Sequence, residues 1–509
     1  MRTAAAVVLC SHWKCGRVLR RWRSSASCTA LCVPKFLTSP ARVLCLCPKD
    51  STVSPEPSLP KILETRHKPL LKTPKGMNDV EPWNVALRQR ILSTIIACFE
   101  RHGGQRMDTS TLERRDVLTE RYGDESKLMY HLEDQGGERL SLRYDLTVPF
   151  ARYLAMYNPG RLRRYQLGAV YRREQPSASN ARLRQFMQAD FDIAGNFTPM
   201  GPEAECVRIM HEIFSELSLG DFVIKISDRR LLQAIVALYG QPSNTHCGVC
   251  ATIDKLQKNG WPAVKEELVQ RHGMPSDSAD RLGEMIIQKG GEEVLQKLIV
   301  DPNLQGEKAQ KSIHDLQLLF SYLRILGVSN KVKLDLSLAR GVDYYTGVVF
   351  EAEISDSRDK VGSVAGGGRY DDLVAELHPK GKQYPCVGLS IGVDRLVMLA
   401  AQVEPVMLQK SITEVVVASA EKGFLEERMH LLAHLWDSGI KAEMMWDKDP
   451  SLLRQLQWCE KHGVPLVVII GSREQATGVV GLRNIALRHQ EDVPLVDIVA
   501  EVKKRLQQT

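Results

Sequence analysis

The sequence lacks several features that would assign it to a common class of protein. No apolar run approaches the ~18 residues that a membrane-spanning helix requires, and the longest runs, such as 466–470, have the length of a buried strand. Aromatic residues make up only 6% of the 509 residues, but 43% of the residues are hydrophobic and 25% are charged. This composition excludes a disordered or collagen-like chain and predicts a globular protein of about three domains.

Acidic residues are absent from the first 49 positions, which hold nine Lys and Arg residues. The net charge of the whole chain is +7, so the remainder is close to neutral. An Arg-rich segment that contains Ser and no acids is typical of a mitochondrial transit peptide, and a disordered basic tail is the alternative. We expect residues 1–50 to form a transit peptide and disordered leader, which predicts a location in the mitochondrial matrix. A body without a basic excess must bind any nucleic acid through local patches.

Cysteine is also scarce outside this leader. Six of the twelve cysteines lie in residues 1–50, and the other six are scattered over the rest of the chain. This distribution argues against a disulfide scaffold and suits reduced thiols. Cys247 and Cys250 form the one Cys-x-x-Cys pair of the body, and a zinc site usually needs a second pair. We therefore predict no metal ligands in the chain.

Composition and periodicity divide the body into parts. A helix is predicted over 82–103, and residues 226–325 are predicted to be mostly helical, as in an insertion or subdomain. A composition break near 403–411 precedes a unit in which strands and helices alternate. The predicted strands are 414–418, 440–446 and 465–470, and the predicted helices are 424–437, 451–461 and 493–507. Such alternation predicts a separate domain with a mostly parallel sheet over residues 411–509.

The alternation of apolar and polar residues along two predicted strands places polar side chains on one face of a predicted hairpin. We call this alternation strand parity. In 165–172 the odd positions are apolar, which leaves Arg172 on the other face. In the returning run 183–193, the even positions include Gln188 and Asp192. Because side chains alternate across a strand, these residues share a face, and a hairpin with aligned apolar faces adds Arg172 to it. A sheet with one solvated face is the alternative interpretation.

A second hairpin is predicted from the alternating runs 331–338 and 348–354. The segment between them contains Arg340, Tyr344 and Tyr345. A plain hairpin turn prefers Asn-Gly or Asp-Gly and no bulky aromatic residues. The turn therefore indicates a functional site.

Three further segments carry unusual chemistry. Residues 142–147 place Asp145 and Thr147 on one face of an extended segment. Residues 365–371 are Gly-rich but lack the Lys-Ser/Thr ending of a Walker loop. Residues 387–396 are predicted to be a strand that leads into a helix with Arg395 in its first turn, where a structural role would favour an acid. A base at that position indicates an anionic ligand at the helix N-terminus.

Together these segments resemble the class II aminoacyl-tRNA synthetases, and specifically the histidyl-tRNA synthetase family. Four segments carry the resemblance: Tyr171-Arg-Arg-Glu174 with Gln188 and Asp192 is similar to motif 2, 388–396 to motif 3, and 338–347 and 366–373 to the two histidine-specific signatures. The resemblance covers about residues 70–509.

The resemblance implies an α+β fold with three parts. An antiparallel-sheet catalytic domain spans 68–405 and contains the mostly helical insertion at about 226–325, and an α/β anticodon-binding domain spans 411–509. The implied function is ATP-dependent ligation of L-histidine to tRNA(His) through histidyl-adenylate. The implied enzyme is a homodimer without membrane insertion, and Mg²⁺ enters together with ATP. The alternative is a catalytically inactive synthetase-like accessory or tRNA-binding protein, which typically loses the arginines that this chain keeps at 172, 340 and 395.

The resemblance also implies roles for individual residues. Arg172 and Arg340 are the implied catalytic residues. The implied histidine-binding residues are Asp145, Leu146, Thr147, Arg172, Gln188, Asp192, Arg340, Tyr344 and Tyr345, and the implied ATP-binding residues are Arg172, Glu174 and Arg395. Asp192 and Tyr345 are expected to hydrogen-bond the two imidazole nitrogens, since a carboxylate accepts from N–H and a phenol donates to the other nitrogen.

Overall fold

The computed structural model describes residues 71–119, 122–133, 136–177, 181–241, 245–339, 344–354, 362–403 and 411–507. The predicted leader, residues 1–50, lies outside the described residues, and so does Arg340. None of the helices within the described ranges is both long enough and apolar enough to cross a membrane.

A nine-stranded sheet forms the centre of the main domain. Its strands are β1 (Gln105–Arg106), β4 (Leu162–Tyr171), β5 (Gln185–Ala194), β6 (Phe222–Asp228), β7 (Lys289–Gly290), β8 (Val332–Asp335), β9 (Val348–Ile354), β10 (Ser363–Arg369) and β11 (Cys386–Gly392), in the order β1-β4-β5-β11-β10-β9-β6-β8-β7. Every pairing from β4 through to β6 in this order is antiparallel. A separate pair consists of β2 (Leu112–Arg114) and β3 (Leu140–Leu142). The expected α+β fold with an antiparallel core is confirmed.

Helices cover the apolar face of this sheet. The helices of the main domain outside the insertion are α1 (Pro82–Arg101), α2 (Arg115–Thr119), α3 (Thr147–Tyr157), α4 (Gly201–Leu217), α11 (Asp372–Leu377) and α12 (Val393–Val403). Odd-numbered residues of β5 point into the main core, where Phe191 packs against Phe99 of α1 with ring centres 5.3 Å apart. The face that carries the odd-numbered residues is thus filled, and the even-numbered face is left for other contacts.

The second predicted hairpin is wrong. β6 lies between β8 and β9, and it pairs with β8 in parallel and with β9 in antiparallel orientation. The twelve residues from Leu336 to Gly347 therefore connect strands that are not neighbours, whereas a tight turn would have joined neighbouring strands. Alternation reports which face of a strand is apolar but not which strand lies beside it.

The segment between β6 and β8 is mostly helical. Its described helices are α5 (Arg229–Leu238), α6 (His246–Ile253), α7 (Leu256–His272), α8 (Ser276–Ile286), α9 (Glu292–Val300) and α10 (Glu307–Ile325). Residues 226–228 belong to strand β6, so the helical segment begins at Arg229.

The C-terminal residues form a five-stranded sheet with its own core. Its strands are β12 (Val415–Ser419), β13 (Ala442–Glu443), β14 (Leu466–Ile470), β15 (Val479–Asn484) and β16 (His489–Pro494), and its helices are α13 (Leu425–Asp437), α14 (Leu452–His462), α15 (Ser472–Thr477) and α16 (Ile498–Leu506). The first three strands are parallel, but β14, β15 and β16 pair antiparallel, so the prediction of a mostly parallel sheet is wrong.

The last predicted helix begins too early, because 489–494 is a strand. Five of the six residues in β16 are exposed, so this edge strand carries almost no apolar alternation that would reveal it. The predicted strand 440–446 is shortened to two residues at an edge of the sheet, although the alternate residues Ile440, Ala442 and Met444 are buried in the C-terminal core.

Candidate active site

The pairing of β4 with β5 builds the polar face that strand parity predicted. Arg172 follows β4 and Arg184 precedes β5, and the N–H of Arg172 donates to the Arg184 carbonyl at 2.8 Å. Further along the same register, Arg164 lies opposite Asp192. Because side chains alternate, the even-numbered residues share this face, and they include Gln188. The expected alignment of Arg172 with Gln188 and Asp192 is confirmed.

Strands β10 and β11 continue this face with glycine. Gly368 pairs with Gly388, and Gly388 pairs with Asp192. A Cβ atom at Gly388 would lie 2.7 Å from Asp192 Cγ, and one at Gly368 would lie 3.1 Å from Tyr345 Cδ1. The carboxylate of Asp192 and the ring of Tyr345 therefore lie over two glycines that are paired across neighbouring strands. Neighbouring strands in a sheet are about 4.8 Å apart. These glycines therefore clear space for the Asp192 carboxylate and the Tyr345 ring.

A cavity of about 440 Å³ opens above this face, a size typical of small-molecule sites. Eight of the residues expected in the site line it: Asp145, Thr147, Arg172, Glu174, Gln188, Tyr344, Tyr345 and Arg395. Leu146 is fully buried and Asp192 is only 2% exposed, and neither of them lines the cavity. The geometry thus gathers residues that are up to 250 positions apart in the chain.

Asp145 is fixed at the N-terminus of α3. Its Oδ1 accepts hydrogen bonds from the backbone N–H groups of Thr147 and Val148, both at 3.1 Å, and from the Tyr122 hydroxyl at 2.6 Å. Its Oδ2 accepts from the Tyr344 hydroxyl at 3.2 Å. A carboxylate is favoured here by the helix dipole and the unpaired N–H groups. Burial raises the pKa of Tyr122 and of Tyr344 well above the usual range, so both phenols stay neutral donors.

Arg172 is held with its guanidinium plane in a defined orientation. Its Nε donates to the Tyr144 carbonyl at 3.1 Å. The guanidinium carbon lies 4.2 Å from the centre of the Tyr144 ring and 5.2 Å from that of Phe186. Aromatic faces attract such a cation and fix its plane, which suits two-pronged binding of a carboxylate or phosphate.

Two other charged groups reach the cavity from different elements. Arg395 lies in the first turn of α12, and its Nη1 donates to the Ser363 carbonyl at the start of β10. Glu174 follows β4, and its Oε2 lies 3.2 Å from Arg182 Nε. A cation from a helix and an acid from the segment after a strand can therefore contact different parts of one polar ligand.

The floor of the site holds charged residues that sequence patterns missed. Arg164 Nη2 lies 2.7 Å from Asp192 Oδ2, and the Tyr370 hydroxyl donates to Asp192 Oδ1. Burial raises the pKa of Asp192, and Arg164 and the hydroxyl of Tyr370 oppose that rise. Burial also raises the pKa of Asp190 to about 7. Side-chain alternation could have indicated Arg164, since it is an even position on β4, but no local pattern indicated that it pairs with Asp192.

The helical insertion also contributes to the cavity. Asp254 and Gln257 line it, from the junction of α6 and α7. Gln257 Nε2 donates to Glu353 Oε1 at 2.8 Å, and Glu353 pairs with Lys225 at 2.6 Å. No local motif connects these residues, so only the tertiary structure reveals them.

One group of potential metal ligands lies away from this cavity. Ligand atoms of Cys98, His102 and Glu212 lie within 4.8 Å of one another. Glu212, however, already pairs with Arg101 at 2.9 Å and with Arg208 at 2.6 Å. Burial, followed by the charge of Glu212, raises the pKa of the Cys98 thiol to about 12, so the thiolate that binds metals is disfavoured. The arrangement is that of an ion-paired structural cluster.

Comparison with protein families extends this description to most of the chain. Residues 76–396 match the family model described as histidyl-tRNA synthetase, and residues 414–505 match the anticodon binding domain model. The catalytic core is thus that of a class II aminoacyl-tRNA synthetase. The chain belongs to the histidyl-tRNA synthetase family, whose members are histidine–tRNA ligases.

Individual relatives agree with this assignment. The mitochondrial histidine–tRNA ligase of Mus musculus is 49% identical over 451 residues, which cover 86% of this chain and 89% of the relative. The cytoplasmic histidine–tRNA ligase of Takifugu rubripes is 47% identical over 461 residues, with the same coverage of both chains. The crystal structure of histidyl-tRNA synthetase from a Nostoc species superposes with a TM-score of 0.72 at 28% identity, covering 86% of this chain and 100% of that one.

Proposed function

We propose that this protein ligates L-histidine to tRNA(His) through histidyl-adenylate, for mitochondrial translation. The observation that carries the proposal is that Asp145, Arg172 and Arg395 line the same cavity. An amino acid needs an acceptor for its ammonium group, and ATP needs cations for its phosphates. The cavity provides both within one site.

The first half-reaction brings two anions together. The carboxylate of histidine attacks the α-phosphorus of ATP and releases pyrophosphate, so negative charge builds up on the α-phosphate. Preorganised cations stabilise such a transition state. Arg172, stacked on Tyr144, bridges the substrate carboxylate and the α-phosphate. Arg340 neutralises the α-phosphate as its charge develops.

ATP is held by residues around the same cavity. Arg395 lies against the adenine ring and the terminal phosphates, and Glu174 accepts from the adenine amino group. Mg²⁺ enters as part of the ATP substrate, and the carboxylates of Asp254 and Glu351 on the cavity wall are oxygen ligands of the type it prefers. The chain's own contribution is to orient the phosphates toward Arg172.

Histidine is recognised at both ends. Asp145, Thr147 and Gln188 hold the α-ammonium group. Asp192 accepts from one imidazole N–H, and the Tyr345 hydroxyl donates to the other nitrogen. Asp192 and Tyr345 lie over adjacent glycines of the sheet, which supports their contact with the two nitrogens of one imidazole ring. Analogues without both nitrogens leave buried polar groups unpaired and are rejected.

Transfer RNA binding and assembly complete the proposal. The anticodon is read by the C-terminal domain, and the enzyme acts as a homodimer. Import into the matrix depends on the basic leader, residues 1–50. Mitochondrial relatives support this location, although cytoplasmic relatives are similar to the same degree.

ATP–pyrophosphate exchange with each of the twenty amino acids in turn tests the reaction. We expect exchange with histidine alone, followed by charging of tRNA(His). Absence of exchange from a folded protein would favour the inactive synthetase-like alternative. A fluorescent reporter that carries residues 1–50 tests the location: it is expected in mitochondria, and cytosolic fluorescence would contradict the import proposal.

A further inference from the structure

Arg164 places a fully buried positive charge beneath the histidine pocket. Its side chain has no exposed surface, and its Nη2 lies 2.7 Å from Asp192 Oδ2. The same Nη2 donates to the Leu146 carbonyl at 3.0 Å, and the guanidinium carbon lies 4.3 Å from the centre of the Phe150 ring. A buried cation is costly without a partner, so this arrangement fixes the cation in one place against one carboxylate.

Tyr370 holds the same carboxylate from another strand. It is 1% exposed, and its hydroxyl donates to Asp192 Oδ1. The preceding residue, Arg369, is anchored by Glu203 at 2.6 Å and by Asp371 at 3.1 Å. These ion pairs hold the residue next to Tyr370 and so help to fix the position of its hydroxyl.

The two carboxylates in the floor differ in how closely they approach the buried cation. Asp190 and Asp192 share the even face of β5, and Arg164 lies close to Asp192. Asp190 Oδ1 has no hydrogen-bond partner among the described residues, and burial raises its pKa to about 7. One buried cation favours one ionised carboxylate. Asp192, which lies 2.7 Å from the guanidinium, is therefore the carboxylate that Arg164 favours as an anion.

Asp192 also keeps capacity for a substrate. Its Oδ2 faces Arg164 as an ion pair but accepts no aligned hydrogen bond from the described residues. An ionised carboxylate has about four acceptor positions. Lone pairs therefore remain for an imidazole N–H.

We infer that Arg164 and Tyr370 are positioning residues for histidine recognition, which hold the Asp192 carboxylate as an anion in one orientation toward the imidazole. This inference rests on the proposed function, because it takes Asp192 as the residue that binds the imidazole. It also explains the composition of the second histidine-specific segment, since its glycines clear the floor and its tyrosine holds the Asp192 carboxylate.

The first test compares two buried tyrosines of the same apolar cluster. Tyr370→Phe removes the hydroxyl that holds Asp192, and Tyr384→Phe removes one that makes no hydrogen bond to Asp192 among the described contacts. In ATP–pyrophosphate exchange, Tyr370→Phe should raise the KM for histidine about tenfold, with kcat and the KM for ATP nearly unchanged. Tyr384→Phe should leave all three constants unchanged. Equal effects of the two variants, or a fall in kcat without a change in the histidine KM, would overturn the inference.

The second test uses pH to separate positioning from packing. Arg164→Met keeps the length of the side chain but removes its charge, so Asp192 gains a proton beside Asp145 and Asp190. We expect the histidine KM to rise about a hundredfold relative to wild type at pH 7. That ratio should shrink as the pH rises toward 9, because Asp192 ionises again. The other titratable groups around Asp192 are Tyr370, Cys206 and Cys386, whose raised pKa values keep them neutral over this range.

Asp192→Asn provides the matched comparison, because an amide cannot ionise and its defect should not shrink at high pH. A defect of Arg164→Met that stays constant from pH 6.5 to 9 would show a packing role and overturn the inference. Thermal melting reports whether each variant folds. If Arg164→Met does not fold, the comparison of Tyr370→Phe with Tyr384→Phe tests the inference. Failure of the wild-type protein to catalyse exchange with histidine would instead refute the proposed function.

Discussion

Gly388→Ala tests whether the glycine floor of the sheet sets histidine affinity. A Cβ atom at this position would lie 2.7 Å from Asp192 Cγ, whereas carbon atoms in contact are about 3.5–4.0 Å apart. The carboxylate must therefore move by about 1 Å. It cannot do so and still accept from the Tyr370 hydroxyl.

The expected loss of histidine affinity follows from the hydrogen bonds of the Asp192 carboxylate that are displaced. A hydrogen bond to a charged group contributes about 1.5–3 kcal/mol. Loss of about 2 kcal/mol of histidine binding corresponds to about a thirtyfold higher KM. The KM for ATP should change little, because Arg395 and Glu174 do not contact Asp192 in the described structure.

ATP–pyrophosphate exchange at varied histidine and fixed ATP measures this effect. Gly201→Ala is the matched control, because its Cβ would meet only Thr198 Cβ at 3.9 Å in the first turn of α4. We expect the control to match the wild type. An unchanged histidine KM in a folded Gly388→Ala protein would refute the reasoning, since it would show that the Asp192 carboxylate does not set affinity from its present position.

Three other perturbations have defined outcomes. Arg340→Ala should slow adenylate formation by about a hundredfold or more with little change in the histidine KM, and Arg340→Lys should rescue poorly because a point charge lacks the planar fork; a mainly KM effect measured by exchange would assign Arg340 to ground-state binding. Truncation after residue 405 should preserve exchange but raise the KM for tRNA(His) in aminoacylation, provided that the truncated protein folds and keeps the oligomeric state of the full chain; an unchanged KM would contradict anticodon reading by the C-terminal domain. Ala181→Gly should raise the free energy of unfolding by up to about 1 kcal/mol, because Ala181 has φ +45°, which L-residues adopt at a cost; thermal melting without a rise would show that the loop carries no strain.

Local patterns predicted the parts of the site that depend on strand periodicity. Alternation placed Arg172, Gln188 and Asp192 on one face, and the register of β4 with β5 confirms it. The strand that leads into α12 is predictable for the same reason, because its apolar run and the following helical pattern lie next to each other in the chain. Such features need only the geometry of one or two neighbouring segments.

Partner choice between distant segments needed the tertiary structure. The sequence contains no sign that β6 lies between β8 and β9, or that β15 and β16 extend the C-terminal sheet as an antiparallel hairpin. Their pairing depends on which faces are buried together, and an exposed edge strand shows no periodic signal.

The charged residues in the floor of the site also show which features the sequence determines and which only the tertiary structure determines. Sequence alone determined that Asp192 lies on the polar face of its strand, since the alternation of side chains is a property of the strand itself. Only the folded sheet brought Arg164 from β4 and Tyr370 from the end of β10 to the two oxygens of that carboxylate. Side-chain facing is set within a strand, whereas the energy of a buried charge depends on every group that packing places around it.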